Sequence, residues 1–256
     1  MPLRCVYTDL DGTLLGAGGS LLRDGDGAFT LLGARALEAC HRAGVEVVLK
    51  SGRRKAQVME GARLIGQSAF IYEVGSGMVI DGEETFLTGA YKAPPDAGRT
   101  PHDLIEETGA PALLLERLDL ELHSPWHVGR FVSHLFRGRA DVGEAAALLE
   151  AEGIAGLRLV DNGALADGRR AYHLIPSTAS KAAAVELHMR ARGYARGECI
   201  AVGDSAEDLG VAAVVGRFYL VANAPAGLEA GLADVTRTEA GHGEGFYEAV
   251  VQSLVG

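Results

Sequence analysis

Asp9-Leu10-Asp11-Gly12-Thr13 closes an apolar run, Leu3 to Thr8, that reads as a buried strand. Side chains alternate along a strand, so two acids two residues apart lean toward one pocket at its C-terminal end. Like charges that close repel and call for a cation or a proton. The glycine and hydroxyl that follow suit a backbone wrapped tightly around an anion. The first reading is therefore an acid pair, a metal and a phosphate. The competing reading is an acidic turn after a strand.

Strand-like and helix-like segments alternate outward from this point. Leu3–Thr8, Val45–Lys50 and Ala69–Tyr72 read as strands, with helices over Gly33–Ala43 and Arg54–Leu64. Near-continuous apolar strands in this order predict a parallel sheet covered on both faces. Leu14–Thr30 is Gly-rich and reads as a small hairpin or flap beside Asp9. From Met78 the character changes. A hairpin at Met78–Leu87 and a breaker-rich stretch with Pro94, Pro95, Gly98 and Pro101 lead into further segments. These are helices at Pro101–Thr108 and Val142–Glu152 and strands at Gly156–Val160 and Ala171–Ile175. Alternation resumes with a helix at Ser180–Arg192, a strand at Glu198–Val202, a helix at Glu207–Val214, a strand at Arg217–Ala222 and a helix at Gly245–Leu254. The expected fold class is α/β, a Rossmann-like three-layer parallel-sheet core with an inserted α+β cap. The core is expected over 1–80 and 173–256 and the cap over 81–172.

The 256 residues, 48% of them hydrophobic, can bury a substantial core. A formal net charge of -10 disfavours nucleic acid and anionic membrane surfaces as partners. Cys5, Cys40 and Cys199 have no CxxC spacing and read as free thiols of a reducing compartment. No secretory leader and no run of membrane-spanning length is visible, so a cytoplasmic location is expected. The sequence carries no signal for an oligomeric state.

Open parallel sheets bind ligands at the C-terminal ends of their strands. Polar residues gather there: Asp9 and Asp11, then Lys50-Ser51-Gly52-Arg53, then Gly203-Asp204-Ser205-Ala206-Glu207-Asp208, then Asn223, with Lys181 opening a late helix. The set DLDGT, SGR, an isolated Lys at a helix start and GDSAED resembles the haloacid dehalogenase-like phosphatases. It spans the core from Asp9 to Asp208. The long insertion before Lys181 is similar to the subclass with a large C2-type cap, the IIB group.

The resemblance implies roles. Asp9 is the nucleophile that becomes an aspartyl phosphate, and Asp11 the acid that protonates the leaving alkoxide and then the base for water. Mg²⁺ is the implied cofactor, held by Asp9, the Asp11 backbone carbonyl, Asp204 and Asp208. Ser51 and Lys181 hold the transferring phosphoryl oxygens, with N–H groups and room from Gly12, Thr13 and Gly52. Alternatives stand beside these roles. Ser51 is also a candidate helix N-cap, Lys181 a solvated helix residue, Asp208 a helix N-terminus acid and Asn223 a turn residue. Arg53 reads either as a substrate contact or as a surface arginine. Glu73 stands where the IIB group often has Glu-Asn-Gly facing cap and substrate, but Val74 replaces the Asn.

The cap chooses the leaving group by closing over the site. Arg130, His134 and Arg137 share a face if their stretch is helical, and are candidate substrate contacts or a solvated face. His123 and His127 show no metal-ligand pattern with neighbouring acids. Phe70–Gly77 and Tyr172-His173 are similar to mannosyl-3-phosphoglycerate phosphatases, and the same features are shared by Cof-like sugar phosphatases. The expected partner is a small phosphorylated metabolite, a sugar or sugar-acid phosphate. A phosphomutase and a catalytically silent sugar-phosphate sensor are the competing functions.

Overall fold

β1 (Cys5–Thr8) is buried at all four positions because helices cover both faces of its sheet. The structure is a computed structural model that describes residues 2–93, 98–165 and 167–255. Pro94 and Pro95 of the breaker-rich stretch lie outside the described residues.

β1 pairs in parallel with β2 (Glu46–Lys50) on one side and β10 (Cys199–Gly203) on the other. β3 (Ala69–Tyr72) continues the sheet beyond β2, and β11 (Arg217–Leu220) and β12 (Val235–Arg237) continue it beyond β10, all parallel. β4 (Gly77–Ile80) and β5 (Glu83–Phe86) add an antiparallel edge, giving an eight-stranded sheet in the order β12-β11-β10-β1-β2-β3-β4-β5. α1 (Leu32–Arg42), α2 (Lys55–Leu64) and α8 (His242–Val255) pack Leu37, Cys40, Val58 and Phe246 on one face. α6 (Lys181–Arg192) and residues 211–215 pack Val185, Met189, Val211 and Val215 on the other. This is the expected three-layer core. The three cysteines are free and buried.

The cap is a second sheet of four antiparallel strands in the order β6-β7-β9-β8: β6 (Leu120–Leu122), β7 (His134–Gly138), β9 (Arg170–Pro176) and β8 (Leu157–Ala164). α3 (Pro101–Glu106), α4 (Ala110–Arg117) and α5 (Val142–Ala151) cover one face through Ile105, Leu114 and Leu149. Several expectations need correction. The joints lie later than 80/81 and 172/173, because β5 belongs to the large sheet and β9 runs to Pro176 in the small one. Arg130, His134 and Arg137 do not share a helical face. Val132, His134 and Phe136 alternate at the strand period and are buried, so His134 and Arg137 fall on opposite faces of β7 and Arg130 on the loop before it. Leu14–Thr30 forms isolated bridges, Gly16 with Ser20 and Arg23 with Phe29, around a turn at Ala17–Gly19. The segment expected as one helix from Glu207 splits into α7 (Ala206–Leu209) and a tighter turn over Gly210–Ala213.

Core and cap are joined by a buried acid. Glu73 is 0% exposed, and its carboxylate accepts backbone N–H bonds from Phe131 at 2.9 Å, Val132 at 3.0 Å and Ser133 at 2.7 Å. Its carboxylate therefore faces the cap backbone, not the substrate space assigned to it from sequence. Arg54 donates to the Val128 carbonyl and Arg130 to the Gly52 carbonyl across the same joint. Glu73→Ala leaves buried N–H donors without acceptors and should cost about 3 kcal/mol or more. Urea unfolding at neutral pH measures this, and a loss below about 1 kcal/mol contradicts the clamp.

Candidate active site

The C-terminal ends of β1, β2 and β10 bring four buried charges into one line. Asp9 follows β1, Lys50 ends β2, Lys181 opens α6, and Asp208 lies on α7 just after β10. Lys181 Nζ donates to Asp9 Oδ1 at 2.8 Å and to Asp208 Oδ1 at 2.9 Å. Lys50 Nζ donates to the same Asp208 oxygen and to the Val202 carbonyl at 3.1 Å. Ser205, the N-cap of α7, donates its hydroxyl to Asp208 Oδ2 at 2.6 Å. Ser180 caps α6, which fixes the start of the helix that carries Lys181.

The charges alternate, and their acidities follow. Burial works against the Lys181 ammonium, but Asp208 and Asp9 outweigh it and hold its pKa above the ordinary value. Burial likewise opposes the Asp208 carboxylate, yet Lys181 and Lys50 hold its pKa well below the usual range. Burial pulls Lys50 down. Burial pushes Asp9 up to about 7, with Lys181 opposing and Asp208 adding to the push. Asp204 is pushed up to about 6 by burial and by Asp208, although Thr13 donates a hydroxyl to it at 2.9 Å.

Asp9, Asp204 and Asp208 place ligand oxygens within 4.8 Å of one another. The set is oxygen-only, suits a hard divalent cation, and has one member, Asp204, with no ion pair among the described residues. The residues therefore fit Mg²⁺. Asp208 is the least available ligand, since both of its oxygens already accept from Lys50, Lys181 and Ser205. Gly12 is required beside Asp204: its φ is +80°, and a Cβ there would come within 2.5 Å of Asp204 Oδ2.

The other sequence candidates are placed unequally. The Asp11 side chain turns to Arg53, which donates from Nε at 2.7 Å and Nη2 at 2.5 Å; this fork raises the Arg53 pKa. Ser51 is buried and accepts from the Arg53 N–H at 3.2 Å; it does not cap α2, whose N-cap is Arg54. Asn223 is spent on backbone, donating to the Gly12 carbonyl at 2.8 Å and accepting from the His242 N–H at 2.9 Å. It therefore braces the Gly12 turn, and this corrects its assignment as a substrate contact. Arg137 pairs with Glu121, away from the core acids. His134 packs against His102 and Glu106 in the cap, where burial pushes its imidazole down to about 3.

A cavity of about 650 Å³ opens over the acids, lined by Asp11, Gly52, Arg53, Trp126, Arg130 and His173 among others. Gly52 forms part of its floor; a Cβ there would meet Asn162 Nδ2 at 2.5 Å and His173 Nε2 at 3.0 Å. Arg130 is 7% exposed and donates to the carbonyls of Trp126 and Gly52 and to Ser133 Oγ. Burial lowers its pKa to about 10. No carboxylate bonds to it among the described residues, and Nη2 has no bond to the protein there.

Lys50, although counted among the polar residues at the sheet edge, was given no role, and the cavity-lining residues His123, Asn162 and His173 were not assigned to the site. Lys50 had a signal, a lysine closing the apolar run Val47–Leu49 at the ligand-binding edge. Asn162 had none and His173 only its place in the family-like pair Tyr172-His173, because only the neighbouring strands β8 and β9 of the cap bring them over Gly52.

No family model matches the chain. It is 28% identical over 250 residues to a phosphoglycolate phosphatase of Archaeoglobus fulgidus, covering 96% of this chain and 95% of that one. It is 28% identical over 260 residues to the phosphoglycolate phosphatase of Methanoculleus marisnigri, covering 97% and 95%. Among solved structures, the sucrose-phosphatase of Synechocystis, in complex with sucrose and phosphate, superposes with a TM-score of 0.69 at 17% identity, covering 99% and 98%. A phosphatase of the haloalkanoate dehalogenase superfamily from Bacteroides thetaiotaomicron superposes at 0.66 and 15%, covering 98% and 95%.

The raised acids predict a pH signature. A carboxylate whose folded pKa lies above its unfolded value destabilises the fold as pH rises between the two, from about 4 to about 6 for Asp204. In EDTA, Asp204→Asn should gain stability over the wild type between pH 4.5 and 7.5, by up to about 3 kcal/mol. Mg²⁺ should narrow the gap at pH 7.5 by binding only the wild-type acid. Urea unfolding at both pH values checks the sign. A gap that shrinks with rising pH in EDTA contradicts the assignment.

Proposed function

We propose that this chain, which has the fold of the haloacid dehalogenase-like phosphatases, is a Mg²⁺-dependent phosphomonoesterase acting on a small phosphorylated sugar acid. The observation that carries the reaction type is Asp9 held by Lys181 beside Asp204 at the sheet edge. Lys181 fixes one Asp9 oxygen and leaves the other for attack on phosphorus. The Asp9–phosphorus bond forms as the ester P–O bond breaks, and Asp11 delivers its proton to the departing alkoxide. Water then attacks phosphorus, Asp11 takes its proton, and the bond to Asp9 breaks to release phosphate. A bound divalent cation neutralises the acids and lets an anionic nucleophile meet an anionic ester.

Arg53 engages both Asp11 carboxylate oxygens, so as it stands the Asp11 side chain is turned to the guanidinium and not to a leaving group. An arriving anion competes for the same guanidinium and frees the Asp11 side chain to turn toward the departing oxygen. Binding and acid catalysis are thereby linked through Arg53.

Arg130 supports an acidic leaving group. A buried guanidinium with a free donor edge on the cavity wall is completed by a carboxylate. The similar archaeal chains are named for phosphoglycolate, which carries one. The cavity of about 650 Å³ lies within the range of roughly 300–1,000 Å³ for drug-sized ligands, so it also accommodates larger acids such as mannosyl-3-phosphoglycerate.

The deciding assay is phosphate release with Mg²⁺ across phosphoglycolate, 3-phosphoglycerate, glycosyl-phosphoglycerates and neutral sugar phosphates. Acids should lead in kcat/KM, and a preference for neutral sugar phosphates contradicts the Arg130 reading. Net phosphate release without a bisphosphate activator separates hydrolysis from a mutase. Asp9→Asn should abolish turnover while the circular dichroism spectrum stays the same; wild-type-like turnover in this variant removes Asp9 as nucleophile. Arg130→Met should raise KM for the acid by an amount equivalent to about 1.5–3 kcal/mol, with little change for p-nitrophenyl phosphate. Equal losses on both substrates contradict a carboxylate contact.

A further inference from the structure

The cap holds a second group of ligand atoms, away from the phosphate site. His102 and Glu106 stand four residues apart on one face of α3, and His134 faces them from β7. One ligand atom from each lies within 4.8 Å of the others. The two imidazole rings stack at 3.8 Å between centroids with 15° between planes.

Backbone carbonyls fix both tautomers. His102 Nδ1 lies 3.0 Å from the Ser133 carbonyl, and His134 Nε2 lies 3.1 Å from the His102 carbonyl. A carbonyl only accepts, so each of these nitrogens carries the hydrogen. The lone pairs are left on His102 Nε2 and His134 Nδ1. This is the arrangement of metal-binding histidines, in which the distal N–H is anchored to a carbonyl and the other nitrogen is free. His134 Nδ1 instead faces a carboxylate oxygen, Glu106 Oε2, at 3.3 Å. Two lone pairs repel at that distance unless a cation lies between or beside them. The His134 ring is nine-tenths or more out of solvent, at 4% exposure, a poor place for an added proton.

We propose that His102 Nε2, His134 Nδ1 and the Glu106 carboxylate form a metal site in the cap for a divalent cation of the Zn²⁺ class. Two neutral imidazoles and one carboxylate suit a borderline-soft ion, whereas the all-oxygen set at Asp9 and Asp204 suits Mg²⁺. Bringing both lone pairs onto one ion takes rotation about the histidine χ2, a broad torsion. The fourth position opens on a cavity of about 210 Å³ lined by His127, Pro111 and Leu115. His127 Nδ1 is buried, has no hydrogen-bond partner among the described residues and belongs to a residue lining this cavity, so it can receive a hydrogen bond from or donate one to a metal-bound water there. The ion would fasten α3 to β7, the strand that follows the Glu73-clamped loop.

Co²⁺ titration of the chelator-stripped, full-length protein tests the site, since tetrahedral nitrogen-containing Co²⁺ sites absorb strongly in the visible. The expected result is one equivalent of such Co²⁺, displaced by Zn²⁺ and not by excess Mg²⁺. The same bands should appear in Asp204→Asn, which disables the core acid site. His102→Ala and Glu106→Gln should each weaken Co²⁺ binding by at least about tenfold. Glu106 is exposed, so its variant keeps the test independent of folding. Absent bands, bands lost in Asp204→Asn, or bands retained in the His102→Ala/Glu106→Gln double variant overturn the proposal.

Discussion

The chain of four buried charges, Lys50–Asp208–Lys181–Asp9, is the constraint on which the site depends. Each member is more than nine-tenths buried, and a buried charge that loses its partner costs about 3–5 kcal/mol. The series is neutral as it stands, two ammonium groups and two carboxylates in alternation. Asp204 then adds a negative charge with no ammonium bonded to it. The protein thus builds a compensated framework and leaves one unit of negative charge at its mouth. That excess attracts a cation. Burial first, and neighbouring carboxylates second, raise Asp9 and Asp204, whereas Asp208, gripped by both lysines, is the lowered acid.

Lys50 changes how Lys181 is understood. Asp208 Oδ1 accepts from both ammonium groups, so the position of Lys181 depends on a residue that never reaches the cavity wall. Lys50 therefore acts as a positioning residue through Asp208. The β1–β2 register sets Thr8 opposite Leu49, which carries Asp9 and Lys50 to neighbouring strand ends. Sheet register is thereby converted into charge order.

The core was legible because buried parallel strands are short apolar runs with polar residues at one end. Val47-Val48-Leu49 followed by Lys50-Ser51 identifies both the strand and the edge. The cap was less legible because its strands are interrupted by polar residues that serve the joint and the cavity. Arg130, His134 and Arg137 fit a helical face until tertiary contacts decide, and β6 has only three residues. The antiparallel neighbours that place Asn162 and His173 over Gly52 follow from sheet pairing at long range. Asn223 shows the same limit within the core, since its two backbone partners lie 211 and 19 residues away.

The departure at Val74 has a physical meaning. In the similar IIB pattern Glu-Asn-Gly, an Asn suits a left-handed backbone, because a short polar side chain tolerates it. Here Glu73 has φ +47° and Val74 φ +59°, and a β-branched residue in that region is strained by about 1–3 kcal/mol. Two interactions hold the turn in place. The Glu73 carboxylate accepts three N–H groups of the cap, and the Val74 side chain is 0% exposed in a cluster with Val160, Ile175 and Ala179. The residue that sequence comparison marks as a lost polar contact is thus an apolar contact across the core–cap joint. Relieving its backbone with Asn would place an amide in that cluster, so local conformation and burial oppose each other at position 74. Burial of the joint keeps the valine.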